Sequence, residues 1–187
     1  MDMTTTLKGS YFSEVLPKGW DIEKIKECVS NDPASVCDRQ SFWNEGFAPL
    51  KCTNLEEFGA YMGHEIAMQI RKTKEEGRKL ILILPVGPMG MYKWAVYFLK
   101  EWNVDCKHVY GFNMDEWSDA EGNTLPASDP AAFQNAMTEA FYGPLGELTV
   151  PVEQRNFATR ENLPKYPEKI AALKAEGAKQ VLVYGIG

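Results

Sequence analysis

The 187-residue sequence predicts an α/β fold, a doubly wound and mainly parallel sheet flanked by helices. Two stretches, Lys79 to Leu84 (KLILIL) and Gln180 to Tyr184 (QVLVY), are almost continuously apolar, as expected of parallel strands that helices cover on both faces. Between them, apolar residues recur every three or four positions, which is typical of amphipathic helices. This alternation favours right-handed crossover connections and therefore a parallel sheet.

Composition and charge exclude several classes of protein. The chain is 44% apolar and 25% charged, which suits a globular domain with a real core. It has 26 acidic and 20 basic residues and no basic stripe, so we expect no nucleic-acid partner. No apolar run approaches the roughly 18 to 20 residues needed to cross a bilayer, and the start does not resemble a signal peptide. We therefore expect a cytoplasmic protein with no membrane partner.

Metal and cofactor chemistry is not expected either. The 4 cysteines form no CxxC pair, and with only 2 histidines no zinc-site spacing exists. Most cysteines of a reducing compartment are small buried apolar residues. The sequence thus predicts neither a metal site nor a cofactor.

Residues 1 to 50 form an aromatic-rich leader that precedes the domain of residues 51 to 187. Prolines and glycines interrupt it, and one helix is predicted from Asp21 to Val29. Its aromatic residues are too many for a solvated tail. They are Tyr11, Phe12, Trp20, Phe42, Trp43 and Phe47. We expect the leader to pack on its own domain or on a second copy, which leaves a homo-oligomer open.

The first helix and strand follow from caps and periodicity. Asn54 and Glu57 have the spacing of a capping box, and apolar residues then recur at helical intervals to about Lys74. Gly77 ends this helix, and the KLILIL strand comes next. A second helix runs from Met91 to Trp102 after a break, and His108 to Phe112 is a second short strand.

The second half contains a loop, two helices and the last strand. Asp115 to Pro130 is acidic and rich in turn formers, which indicates a surface loop long enough to be functional. Ala131 to Tyr142 is a predicted third helix, with Ser128 to Pro130 in its cap and first-turn positions. Pro167 to Glu176 is a fourth helix, closed by Gly177, and the QVLVY strand after it is predicted to be buried.

The sequence stops directly after a glycine turn. Gly185 and Gly187 follow the last predicted strand, and no helix comes after them to cover it. Loops at the carboxyl ends of parallel strands usually hold the ligand. We therefore expect both glycines to bind substrate and the domain to be truncated at its carboxyl end.

A second glycine turn follows the first strand. Gly87, Pro88, Met89 and Gly90 precede a helix, whose first N–H groups can hold an anion. These four residues are candidates for substrate binding. The turn lacks serine and threonine hydroxyls, and prolines have no N–H to donate. A plain tight turn between strand and helix is therefore the alternative.

Acidic residues follow the second strand. Asp115 and Glu116 come directly after it, and Asp119 lies three residues further on. A carboxylate at this end of a parallel sheet faces the crevice where a substrate sits and can act as a general base. The alternative is that Asp115 caps the loop and that Glu116 is solvated.

The two histidines are predicted to be structural. His64 falls on the first helix, where solvent or a helix neighbour is favoured over a substrate. His108 begins the second strand, at the end away from the ligand crevice. No serine or cysteine stands in a recognisable nucleophile elbow.

A set of these residues resembles the glucosamine-6-phosphate deaminase (isomerase) family from about residue 50 to residue 187. The set comprises Leu84, Pro85, Gly87, Tyr92, Lys93, Lys107, His108, Val109, the FNMDE segment Phe112 to Glu116, and Gly185 to Gly187. FNMDE followed by an aromatic residue is its most specific element. The resemblance implies a Rossmann-like fold, a small sugar-phosphate ligand, and conversion of glucosamine 6-phosphate to fructose 6-phosphate and ammonia through ring opening and an enediol.

The resemblance also assigns roles. It makes Asp115 and Glu116 the candidate catalytic residues, with Asp115 as the base between the first two sugar carbons and Glu116 in support. Gly87 matches a glycine of the phosphate-binding loop, in which Val86, Pro88 and Met89 replace small hydroxylic residues. The family's ring-opening residues follow the last glycine turn, so we expect this chain alone not to complete deamination.

Two other functions stay open. One is a sugar or sugar-phosphate binding protein that keeps the fold without catalysis. The other is a hydrolase like the 6-phosphogluconolactonases, which resemble this family in fold. Those enzymes usually place an arginine after their Asp-Glu pair, where this chain has Trp117. The tryptophan favours the deaminase branch.

Overall fold

The computed structural model describes residues 41–185 and, before them, residues 21, 23, 24, 27 and 30–32. The chain divides into two compact units, Met1–Lys51 and Cys52–Gly187. In the first unit, residues 23, 24, 27 and 30 are helical, and the rest of the predicted helix Asp21 to Val29 lies mostly outside the described residues. The packing of the leader stays a prediction.

A parallel four-stranded sheet forms the centre of the second unit, in the order β3-β2-β1-β4. Its strands are β1 (Leu80–Leu84), β2 (Val109–Asn113), β3 (Arg155–Asn156) and β4 (Lys179–Leu182). Each pair of neighbours runs parallel, so the carboxyl ends of the strands meet at one edge. The predicted parallel α/β fold is confirmed.

The described residues of the second unit contain four α-helices, of which the first precedes β1 and the other three lie between strands. They are α1 (Leu55–Glu75), α2 (Gly90–Glu101), α3 (Phe133–Met137) and α4 (Tyr166–Ala175). Short 3₁₀ turns lie at Gly146–Leu148, Val152–Gln154 and Leu163–Lys165. Helix α1 begins as predicted, because Glu57 N–H donates to the Asn54 side chain at 2.8 Å.

The sheet has a core on each face. Leu80, Leu82 and Leu84 belong to the larger core, which α1 and α2 cover. Ile81 belongs to a smaller core that includes Leu173 of α4. The KLILIL strand is apolar throughout because its alternate side chains enter two different cores. No helix among the described residues is long and apolar enough to span a membrane.

Two predicted elements are wrong in detail. The last strand was expected to be buried, but β4 pairs only with β1 among the described residues, and Leu182 is 50% exposed. The third helix was expected to open at Ser128 to Pro130, but α3 begins at Phe133 and continues as a π-helical turn, Thr138–Tyr142. The residue at its N-cap position, Ala132, has no capping side chain.

Candidate active site

The two loops with predicted site residues leave the sheet side by side. Leu84, the last residue of β1, pairs with Asn113, the last residue of β2. The next residue along, Met114, donates its N–H to the Leu84 carbonyl oxygen at 3.1 Å. The segment that carries Asp115 is therefore tied to the start of the glycine turn after β1.

The glycine turn is fixed at both ends. Met89 N–H donates to the Gly87 carbonyl oxygen at 2.8 Å, and Met91 N–H donates to the Pro88 carbonyl oxygen at 3.2 Å. The buried Tyr92 hydroxyl donates back to the Pro85 carbonyl oxygen. The turn therefore leads into α2 in one defined conformation, with the first N–H groups of the helix at the carboxyl edge of the sheet.

An open pocket of about 620 Å³ lies at this edge. Its lining residues are Phe58, Pro85, Val86, Pro88, Met114, Asp115 and Gly185. Three predicted site residues, Pro88, Asp115 and Gly185, thus lie on one pocket. Asp115 is the only charged side chain among these described lining residues, and the rest of the wall is apolar apart from the glycine backbone.

The other predicted binding residues lie beside the pocket or outside the described part of the chain. Gly87 and Gly90 are exposed at the turn, and Met89 packs against the main core instead. Gly187 falls on residues that the structure does not describe. Phe58 was missed, because its spacing on α1 also fits the helix's apolar stripe.

The pKa of Asp115 is raised at the pocket, where the residue is still exposed. Partial burial raises the pKa of its carboxyl above the ordinary value of 3.8, and the neighbouring negative charge of Glu116 raises it further. In the part of the chain that the structure describes, no group donates a hydrogen bond to this carboxylate or forms an ion pair with it. A carboxylate without such partners is free to accept a proton from a ligand.

Glu116 is engaged differently. One of its carboxylate oxygens accepts the N–H of Phe133 at 2.7 Å, and the other accepts the N–H of Gln134 at 2.8 Å. The first oxygen also accepts the N–H of Trp117 at 2.9 Å. The half-buried carboxylate therefore caps α3, so Glu116 is not merely a solvated side chain of the loop.

Asp119 stabilises the loop and does not line the pocket. Its carboxylate accepts the backbone N–H and the side-chain N–H of Asn123, at 2.7 and 3.0 Å. These hydrogen bonds lower the pKa of Asp119. Asn123 in turn accepts a hydrogen bond from Arg160 at 3.0 Å. The acidic loop is thus an ordered structure with one acid, Asp115, directed to the pocket.

The histidines and the buried cysteine are structural. The His64 ring contacts Phe98 and Trp102 edge-on, at centroid distances of 5.1 and 5.7 Å. His108 Nε2 lies 3.0 Å from the Ile70 carbonyl oxygen, and burial lowers the pKa of this histidine. Burial also raises the pKa of Cys106 to about 12. The described residues contain no cluster of three potential metal ligands.

Known proteins are similar in sequence to about three quarters of this chain. A glucosamine-6-phosphate deaminase of Yersinia pestis (strain Pestoides F) is 30% identical over 148 residues, covering 74% of this chain and 51% of that protein. A glucosamine-6-phosphate deaminase of Caenorhabditis elegans is 25% identical over 136 residues, covering 72% and 49%. No family model matches the chain. The chain spans about half the length of the curated relatives it matches.

A solved structure shares the fold. It is described as a monomeric glucosamine-6-phosphate deaminase and a missing link of the NagB superfamily. It superposes with a TM-score of 0.58 over 74% of this chain and 54% of that chain, at 17% identity. This likeness confirms the expected Rossmann-like architecture. By sequence over about three quarters of its length, this chain belongs to the glucosamine-6-phosphate deaminase family.

Proposed function

We propose that this chain acts on an amino-sugar phosphate such as glucosamine 6-phosphate, with Asp115 as the base that moves a proton between the first two sugar carbons. One observation carries the proposal: the Asp115 carboxylate is the only charged group on the pocket at the carboxyl edge of β1 and β2, among the described residues. The names of the relatives support the reaction class.

The proposed step begins with the open-chain sugar in the pocket. The Asp115 carboxylate accepts the proton from C2, the C–H electron pair forms a C1–C2 double bond, and the carbonyl oxygen on C1 takes a proton from solvent. Asp115 then returns its proton to C1, and the nitrogen electron pair forms a C=N bond, which leaves a protonated imine at C2. Water hydrolyses this protonated imine to a ketone and ammonium. A raised pKa suits Asp115 to this exchange, because it makes the carboxylate a stronger base than an ordinary one.

The turn from Gly87 to Gly90 is the proposed site for the sugar's phosphate. The positive end of the α2 helix dipole lies there. The N–H groups of Met89, Met91 and Tyr92 already donate within the turn, so those of Gly87 and Gly90 are the proposed donors. Pro88 and Gly185 line the same pocket as Asp115, so one ligand can reach all three. Phe58 and Met114 offer an apolar surface for the C–H face of a sugar.

Exchange of the C2 hydrogen tests this function. The 187-residue chain is incubated with glucosamine 6-phosphate in deuterium oxide, and the C2 signal is followed by proton NMR. Sugars open spontaneously in solution, so exchange does not depend on ring opening by the protein. We expect the C2 hydrogen to be replaced by deuterium. Hydrolysis of 6-phosphogluconolactone, or saturable sugar binding with no exchange, would overturn the proposal in favour of a lactonase or a binding protein.

A further inference from the structure

The Glu116 carboxylate joins two segments that are 17 residues apart in sequence. Both of its oxygens accept backbone N–H groups at the first turn of α3, those of Phe133 and Gln134. Ala132 stands at the N-cap position and has no side chain that could do this. A carboxylate at a helix start forms charge-assisted hydrogen bonds and also faces the positive end of the helix dipole. Glu116 is therefore the capping residue of α3.

Helix α3 is itself anchored in the core. Met137 at its end is fully buried, and the π-helical turn that follows contributes Phe141 and Tyr142 to the main hydrophobic cluster. The Tyr142 ring also lies under the guanidinium group of Arg155, at 4.8 Å. The hydrogen bonds of Glu116 thus connect the acidic loop to an element that cannot move without disturbing the core.

We propose that Glu116 is a positioning residue for Asp115: its carboxylate, held by the first N–H groups of α3, fixes the backbone that carries Asp115 at the pocket. Met114 does the same on the other side, through its hydrogen bond to Leu84. Asp115 therefore lies between two anchored neighbours although its own side chain has no anchor among the described residues. The catalytic meaning of this arrangement rests on the proposed role of Asp115 as base.

The charge of Glu116 gives the proposal a second, independent consequence. Among the described residues, Glu116 is the charged group that acts on the Asp115 carboxyl, and it raises the pKa of that carboxyl in addition to burial. The same charge also strengthens the cap of α3, so the effect on the Asp115 carboxyl is what distinguishes the positioning role from a purely structural one. Loss of the charge and loss of the capping geometry can therefore be separated by choosing the right variants.

Two substitutions separate these effects. Glu116→Gln removes the charge, and its amide N–H₂ cannot accept the second N–H. Glu116→Asp keeps the charge but is one methylene shorter and does not reach both N–H groups. Glu121→Gln is the matched control: it makes the same charge change in the same loop, and among the described residues no hydrogen bond to the Glu121 side chain is found.

Two measurements without substrate test the positioning role of Glu116. Amide hydrogen exchange of Phe133 and Gln134 should become at least about tenfold faster in both Glu116 variants, because a charge-assisted cap is lost. Titration of the Asp115 carboxyl by carbon-13 NMR should move to lower pH in Glu116→Gln, while Glu116→Asp retains more of the raised pKa. Glu121→Gln should change neither quantity.

Unchanged exchange at Phe133 and Gln134, with unchanged titration of Asp115 in Glu116→Gln, would overturn the positioning role. This failure is distinct from failure of the proposed function. A wild-type chain without C2 exchange would overturn the role of Asp115 as base, while the cap formed by Glu116 would still be detected by hydrogen exchange.

Discussion

Met114 donates its backbone N–H to the Leu84 carbonyl oxygen at 3.1 Å, one residue beyond the last pair of β1 and β2. This hydrogen bond continues the strand pairing into the loops, so the glycine turn and the acidic segment leave the sheet next to each other. Asp115 is the first residue after it. The position of the carboxylate at the pocket thus follows from the register of two parallel strands.

The first prediction concerns the phosphate group. Pro88 lines the pocket but provides neither a hydroxyl nor an N–H donor. Pro88→Ser adds both donors, so it should tighten binding of glucosamine 6-phosphate by about tenfold to a hundredfold, since a hydrogen bond to a charged oxygen contributes about 1.5 to 3 kcal/mol. Binding of unphosphorylated glucosamine should not change. Isothermal titration calorimetry with the two sugars measures both effects.

Pro88→Ala is the control for this prediction, because it restores the N–H without a hydroxyl and should give the smaller gain. A wild-type chain that already binds glucosamine 6-phosphate at micromolar strength, with a large preference over glucosamine, would contradict the prediction. The backbone N–H groups of the turn would then suffice without hydroxyl donors.

The second prediction concerns the contact between α1 and α2. A Cβ atom at Gly63 would lie 2.5 Å from the Trp94 Cβ and 2.7 Å from the Ala95 nitrogen, both on α2. Gly63→Ala should therefore lower the free energy of unfolding by about 1 to 3 kcal/mol, as overpacking does elsewhere. Gly90→Ala is the matched control, because a Cβ there meets nothing within 4 Å. Urea unfolding that shows equal stability for the two variants would refute this account of the helix contact.

The third prediction concerns stability and pH. The pKa of Asp115 is raised in the folded chain, so the native state holds this proton more tightly than the unfolded state does. Ionised Asp115 therefore destabilises the fold at pH 7, and this penalty disappears as the pH falls below the ordinary carboxyl pKa. Asp115→Asn should raise the free energy of unfolding at pH 7, and the gain should shrink at about pH 4.5.

Asp119→Asn should have the opposite effect. Hydrogen bonds from Asn123 lower the pKa of Asp119, so its ionised form stabilises the fold above the ordinary carboxyl pKa. The variant should lose stability at pH 7. Urea unfolding at pH 7 and about pH 4.5 measures the free energy of unfolding of both variants. If Asp115→Asn is less stable than the wild type at pH 7, the predicted destabilisation by ionised Asp115 is contradicted.

Local signals in the sequence were sufficient for much of this fold. The capping spacing of Asn54 and Glu57 and the apolar KLILIL run are each contained in a few residues, and both elements formed as predicted. The position of Asp115 was predictable as well, because it depends only on where β2 ends. Strand β3, with two residues, is too short to show any periodicity.

Features that depend on distant contacts could not be predicted. Leu182 is exposed because β4 lies at one edge of the sheet that the described residues form. The residues of the QVLVY segment do not indicate the order of the strands. The cap of α3 comes from Glu116, across a loop, so the nearby Ser128 to Pro130 segment was a misleading signal. Phe58 reaches the pocket only because α1 packs beside the glycine turn.

The assignment of Asp115 as base is tested most directly by C2 hydrogen exchange in Asp115→Asn. Asparagine keeps the size of the side chain but removes its basicity, and a positioned base contributes about 10²- to 10⁴-fold to such a step. With glucosamine 6-phosphate in deuterium oxide, exchange should fall at least about a hundredfold in Asp115→Asn. It should fall less in Glu116→Gln and persist in Asp119→Asn, with sugar binding retained throughout. Undiminished exchange in Asp115→Asn would contradict the assignment.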